Sequence, residues 1–170
     1  MLMAGCANYQ LGSPGAPPFK NLYVRPTTND SYAPQAHALV STQLRQILLR
    51  DSRVTLVANE AKADAVLEVT LSEYDRSPGA RAGRDSEDTV RARDFDVGLK
   101  SRISLYNRGK GEYLFHNREI EEKTHAYAEN PFTPDDTFNT QGFLQAEHQA
   151  MPRLARGIAA NIANEILGAW

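Results

Sequence analysis

The sequence predicts an α+β fold: a mixed or antiparallel sheet of about four to five strands with two amphipathic helices packed on one face. Three observations lead there. Apolar residues alternate with polar ones in several short runs, two longer stretches carry apolar residues at spacings of three and four, and the order β-α-β-β-β-β-α separates the helices by a block of strands.

The first strand is expected in "FKNLYVRP", where Leu22 and Val24 alternate with Tyr23 and Arg25 until Pro26 ends the run. "TTNDSYAP" then turns the chain. Over residues 34–50, His37, Val40, Leu44, Ile47 and Leu48 form one face of a helix whose first turn accommodates Pro34. His37 is expected at the edge of that core face. "RVTLVA" gives a second strand, and "DAVLEVTLSEY" a third in which Ala65, Leu67, Val69 and Leu71 share a face opposite Glu68, Thr70 and Ser72. Residues 75–94 show no apolar period and are dense in Arg, Asp and Gly, which predicts a long exposed loop.

The cleanest alternation follows, with Phe95, Val97, Leu99, Ser101, Ile103 and Leu105 on one side of a strand. "NRGKG" is a hairpin turn, and residues 112–128 return as the antiparallel partner, with a bulge or an exposed outer half expected beyond Phe115. Met151, Leu154, Ile158, Ile162 and Ile166 lie at helical spacing. Pro152 sits either in the first turn of that helix or inside a longer one beginning near Phe143.

The chain has 170 residues, 19 basic and 21 acidic side chains, and a formal net charge of −2. That length suits one domain, expected over residues 19–170 after a lipobox remnant and Gly/Pro-rich tether over residues 1–18. The charge balance gives no overall drive toward nucleic acid, which is not expected as a partner. No apolar run approaches the roughly 20 residues that span a bilayer. A single cysteine, Cys6, excludes an intramolecular disulfide.

Cys6 is followed by "ANYQLGSPGAPP", too polar and too rich in Gly and Pro to bury a thiol, and a flexible terminus can fix neither metal ligands nor a catalytic base. Met3-Ala4-Gly5-Cys6 resembles the lipobox of bacterial lipoproteins, in which small residues precede a cysteine that becomes acylated. Cys6 is therefore the expected lipidation site. Only five residues precede it, fewer than a secretory signal needs, so the chain is expected to begin downstream of its true start.

Catalytic constellations are lacking. Glu122 and His125 form an E-x-x-H string, but residues three apart on a strand point to opposite faces, so no metal is expected there. His148 is expected at the surface. Asp135 and Asp136 follow Pro134 in a polar stretch where Asp starts turns or caps helices, and Glu119, Glu121 and Glu122 suggest a solvated strand face. There is no G-x-S-x-G elbow, phosphate loop or dinucleotide fingerprint, and neither an enzyme nor a cofactor is expected. What remains is a binding surface. Arg76, Arg81, Arg84, Arg91 and Arg93 fall in the expected loop, and guanidinium forks suit phosphate and carboxylate recognition. Asp75, Asp85, Glu87, Asp88 and Asp94 interleave with them, so a merely solvated loop is the competing reading.

The lipobox-like start with Tyr9, Leu11 and Gly12 after Cys6, the segment "FKNLYVRPTTN", the helix with "LVSTQLRQILLRDSRVTLV" and the strand "ADAVLEVTLSEYDR" together resemble the LPS-assembly lipoprotein family LptE. The resemblance spans most of the chain in element order and involves no catalytic motif. It implies a non-enzymatic lipoprotein, held by N-terminal acyl chains at the periplasmic face of the outer membrane. It also implies a β-barrel partner, the LPS translocon LptD, which such a protein plugs and helps assemble, and direct binding of lipopolysaccharide. Ala7 agrees with outer-membrane sorting, since an Asp at that place is the inner-membrane retention signal. Three acyl chains, at about 0.8 kcal/mol per buried CH₂, would anchor firmly where one alone would not. The five arginines are the candidate contacts to the anionic glycolipid. The alternative is a periplasmic accessory lipoprotein of a lipid or solute transporter, and a periplasmic hydrolase would require a triad that the sequence does not offer.

Overall fold

A computed structural model describes residues 15–33, 35–78, 94–127, 140–168 and 170. Its elements run β1 (Asn21–Val24), β2 (Thr28–Asn29), α1 (Ala36–Arg50), β3 (Thr55–Leu56), a 3₁₀ turn (Glu60–Lys62), β4 (Ala65–Pro78), β5 (Asp94–Asn107), β6 (Glu112–Tyr127) and α2 (Thr140–Gly168). The α+β class is as expected. The sheet has six strands in the order β3-β1-β4-β5-β6, with β2 added to β4 beside β1. β1 pairs in parallel with both β3 and β4, and parallel neighbours require a crossover, which α1 supplies between β1 and β3. β4, β5 and β6 form an antiparallel meander.

Both helices cover one face of the sheet and also pack against each other. Leu22 and Val24 from β1, Leu67, Val69 and Leu71 from β4, and Leu99, Ile103 and Leu105 from β5 meet Val40, Leu44 and Leu48 of α1 and Leu154, Ile158, Ile162 and Ile166 of α2 in one core. The helix spacing foretold by the sequence thus describes the buried stripes, with one correction. His37 is exposed, because Ala36 fills the innermost first-turn position of α1. Pro34 lies outside the described residues.

Other differences come from backbone pairing. Thr28 and Asn29, in the segment expected to be a turn, bond to β4 at Thr70 and Leu71 and supply the sixth strand. The strand expected over 53–58 shortens to Thr55–Leu56. The expected loop 75–94 contributes its first four residues to β4 and its last to β5, because the antiparallel ladder continues through Asp75↔Gly98 and Arg76↔Val97 whatever the side-chain pattern. Ser72, opposite no residue of β5, is an extra residue that shifts the register, so Tyr74 and Arg76 follow Leu71 onto the helix side.

The hairpin forms as expected: Gly111 adopts φ 71°, its N–H bonds to the Asn107 carbonyl at 2.9 Å, and the Lys110 N–H bonds to Asn107 Oδ1 at 3.0 Å. The expected bulge lies just past Phe115. Asn117 takes the left-handed conformation, φ 51°, and its N–H bonds to Ser104 Oγ at 3.0 Å. α2 is the longer of the two expected helices, carrying Pro152 inside it at the loss of one backbone hydrogen bond.

Candidate functional site

The elements give the molecule two poles. At one, the chain arrives: the Gly15 N–H bonds to the Trp170 carbonyl at 2.8 Å, and the rings of Phe19 and Trp170 meet edge to face at 6.4 Å. α1 ends at the same pole, where Arg53 donates to the Leu167 carbonyl at 3.0 Å and to Asp51. At the other pole lie the ends of β4 and β6 and the starts of β5 and α2. A strand of fourteen residues separates the poles by roughly 40 Å.

Of the candidate glycolipid contacts, Arg76 alone is described, and it is a strand residue. Its Nη1 lies 3.4 Å from Oε2 of Glu147 on α2, a carboxylate only 12% exposed. Tyr74, two residues earlier on the same face, donates its hydroxyl to Glu147 Oε1 at 2.5 Å. Burial first, and then that hydrogen bond, raise the Tyr74 pKa well above the ordinary phenol value. Arg76 therefore has a partner inside the fold, and its guanidinium is half exposed beside it. Cys6, Arg81, Arg84, Arg91, Arg93, Asp135 and Asp136 lie outside the described residues. The end of β4 at Pro78 and the start of β5 at Asp94, which flank residues 79–93 in the sequence, lie at the pole opposite the arriving chain.

The uncovered face of the sheet is a lattice of opposed charges. Lys100 bonds to Glu73 at 2.7 Å, Lys123 to Glu121 at 3.0 Å, and Arg102 approaches Asp30 at 3.6 Å. The hydrogen bonds that Lys100 and Lys123 donate to Glu73 and Glu121 are the main reasons that the pKa values of the two lysines are raised. Glu122 and His125 do face opposite ways. His125 meets Asp96 at 3.1 Å on the open face, whereas Glu122 reaches under α2, accepts a hydrogen bond from Asn161 at 2.7 Å, and fits because position 157 is glycine. Glu122 is therefore no solvated face residue. A Cβ on Gly157 would lie 2.6 Å from its Oε1.

Sequence reasoning missed the Tyr74–Glu147 pair because the bulge at Ser72 reverses the facing of everything after it. It also missed Ser104, whose hydroxyl lies 3.1 Å from His116 Nδ1 while accepting from the Asn117 N–H. Ser104 is buried, and the pair fastens the bulge. Among the described residues no group of three or more His, Cys, Asp or Glu side chains could hold a metal ion, and no helix is long and apolar enough to cross a membrane.

These features define a two-layer α+β domain, with two helices on one face of a six-stranded sheet and ion pairs across the other. Solved structures of similar fold include a hypothetical protein of Chlamydia trachomatis (TM-score 0.51, 12% identity, covering 86% of this chain and 97% of that one) and a protein of Xanthomonas campestris (TM-score 0.50, 9% identity, 90% of each chain). A solution structure of an uncharacterized lipoprotein B from Nitrosomonas europaea also matches, with a TM-score of 0.45, 13% identity, and coverage of 88% and 89%. No curated protein matches the sequence. The family model described as "LptE: Lipopolysaccharide-assembly" matches residues 19–166. The chain belongs to the LptE family.

Proposed function

We propose that the protein is a non-enzymatic lipoprotein of the outer membrane, lipid-anchored through Cys6 at the periplasmic face, that assists lipopolysaccharide transport to the cell surface. In this reading residues 1–18 are the tether, and the domain over 19–170 plugs and helps assemble an LptD-like β-barrel and binds lipopolysaccharide. The match to the lipopolysaccharide-assembly family over residues 19–166 carries the proposal. The two poles support it. A tether arriving at one end leaves the other, with the arginine-bearing segment, free to reach the glycolipid. Arg81, Arg84, Arg91 and Arg93 are the primary contacts, and Arg76, engaged by Glu147, is their neighbour at the strand end.

The test is affinity purification from a Gram-negative host expressing the chain behind a complete signal. A large β-barrel should co-purify, and palmitate should label the wild type but not Cys6→Ala. Recovery with an inner-membrane complex would instead favour a transporter accessory lipoprotein. An unlabelled, soluble periplasmic product would remove the anchor.

A further inference from the structure

At the pole where the chain arrives, Lys20, Arg108 and Lys110 surround an open groove of about 780 Å³ whose wall includes Phe19. Among the described residues the one acid lining it is Asp64, and that carboxylate is occupied: its Oδ2 accepts the N–H groups of Asn21 at 2.7 Å and Lys20 at 3.1 Å. Arg108 is fixed by donating from Nη1 to the carbonyls of Glu60 and Ala63, at 2.5 and 3.2 Å, and is otherwise exposed. Lys110 has only a loose approach to Glu112 at 3.8 Å. Neither Lys20 nor Arg108 forms an ion pair among the described residues. This contrasts with the open sheet face, where Lys100, Lys123 and Arg102 each have an acidic partner. Arg53, at the same pole, is spent on Asp51 and the Leu167 carbonyl and takes no part.

We propose that this groove docks anionic phospholipid headgroups of the leaflet in which the protein is anchored. Gly15 follows Cys6 by nine residues, which reach about 30 Å at most when fully extended. An acylated Cys6 would thus hold this pole, with its unpaired cations, close to the headgroups. The inference rests on Cys6 being the anchor. A lysine or arginine close to an anionic membrane surface strengthens binding about fivefold, so three give about a hundredfold, and salt screens the effect.

The test uses the unacylated 170-residue chain and vesicles of phosphatidylcholine with or without phosphatidylglycerol, read by co-sedimentation. The wild type should prefer the phosphatidylglycerol vesicles, less so as salt rises. Lys20→Gln with Lys110→Gln should weaken that binding about 25-fold, while Arg81, Arg84, Arg91 and Arg93 changed to Ser should leave it intact. The glutamines replace two exposed side chains whose one ion pair among the described residues is the loose Glu112 approach, and an unchanged thermal midpoint verifies folding. Equal binding to both vesicle types, or full binding by the glutamine variant, would overturn the groove. Palmitate labelling of Cys6 is read separately: its failure alongside intact vesicle preference would remove the anchor and leave the groove standing.

Discussion

Tyr74→Phe probes the link between the end of β4 and α2 with a single atom. The hydroxyl donates at 2.5 Å to Glu147 Oε1, and the other carboxylate oxygen is buried, with no hydrogen-bond partner among the described residues and the Arg76 guanidinium at 3.4 Å. A hydrogen bond to a charged group contributes about 1.5–3 kcal/mol, so the phenylalanine variant should lose that much at pH 7, a fall in Tm of roughly 3–12 °C for a domain of this size. Arg76→Ser, which removes a half-exposed cation, should cost at most about 1 kcal/mol. Together they should cost more than their sum, about 3–5 kcal/mol, because the buried carboxylate then has no partner. The assay is urea unfolding of the three variants. Alkaline pH adds a second reading. The folded Tyr74 pKa is raised, so below about pH 10 the group contributes no pH dependence, whereas above it the unfolded chain loses a proton that the folded chain keeps, and stability declines. Tyr74→Phe should flatten that decline. A phenylalanine variant within 0.5 kcal/mol of wild type (about the scatter of a surface substitution) would show that Glu147 is solvated and the reasoning wrong.

Changing Arg81, Arg84, Arg91 and Arg93 to Ser, with Arg76 retained, should leave the thermal midpoint within about 1 °C while weakening lipopolysaccharide binding and its salt dependence. Unaltered binding in calorimetry would place the glycolipid elsewhere. Asp64→Ala should cost about 1 kcal/mol, since the N–H groups of Asn21 and Lys20 lose their acceptor. Those bonds lower the Asp64 pKa, so the stabilisation is present above about pH 4 and is lost as pH falls through the folded value; acid titration of the variant should lack that component. Ile158→Ala, fully buried in α2, should cost about 2–5 kcal/mol by chemical denaturation.

The sequence by itself determined the class, the order of the elements apart from β2, and most of the core, because helices and strands each bury a periodic stripe: Val40, Leu44 and Leu48, or Leu67, Val69 and Leu71, can point only one way once the period is known. It also determined the hairpin at Gly111 and the family. The tertiary structure alone decided where the period breaks. One unpaired residue, Ser72, turns Tyr74 and Arg76 toward α2, and a ladder extended by backbone bonds makes strand of residues whose side chains signal a loop. Glu122 was illegible for a related reason. Its burial depends on Gly157 and Asn161, thirty-five and thirty-nine positions away, and a local pattern carries no information about which distant residue leaves room. The pairing of Arg76 with Glu147, and the lack of such a partner for Lys20 and Arg108 among the described residues, likewise follow from packing, since charges far apart in sequence find or miss one another only when the chain closes.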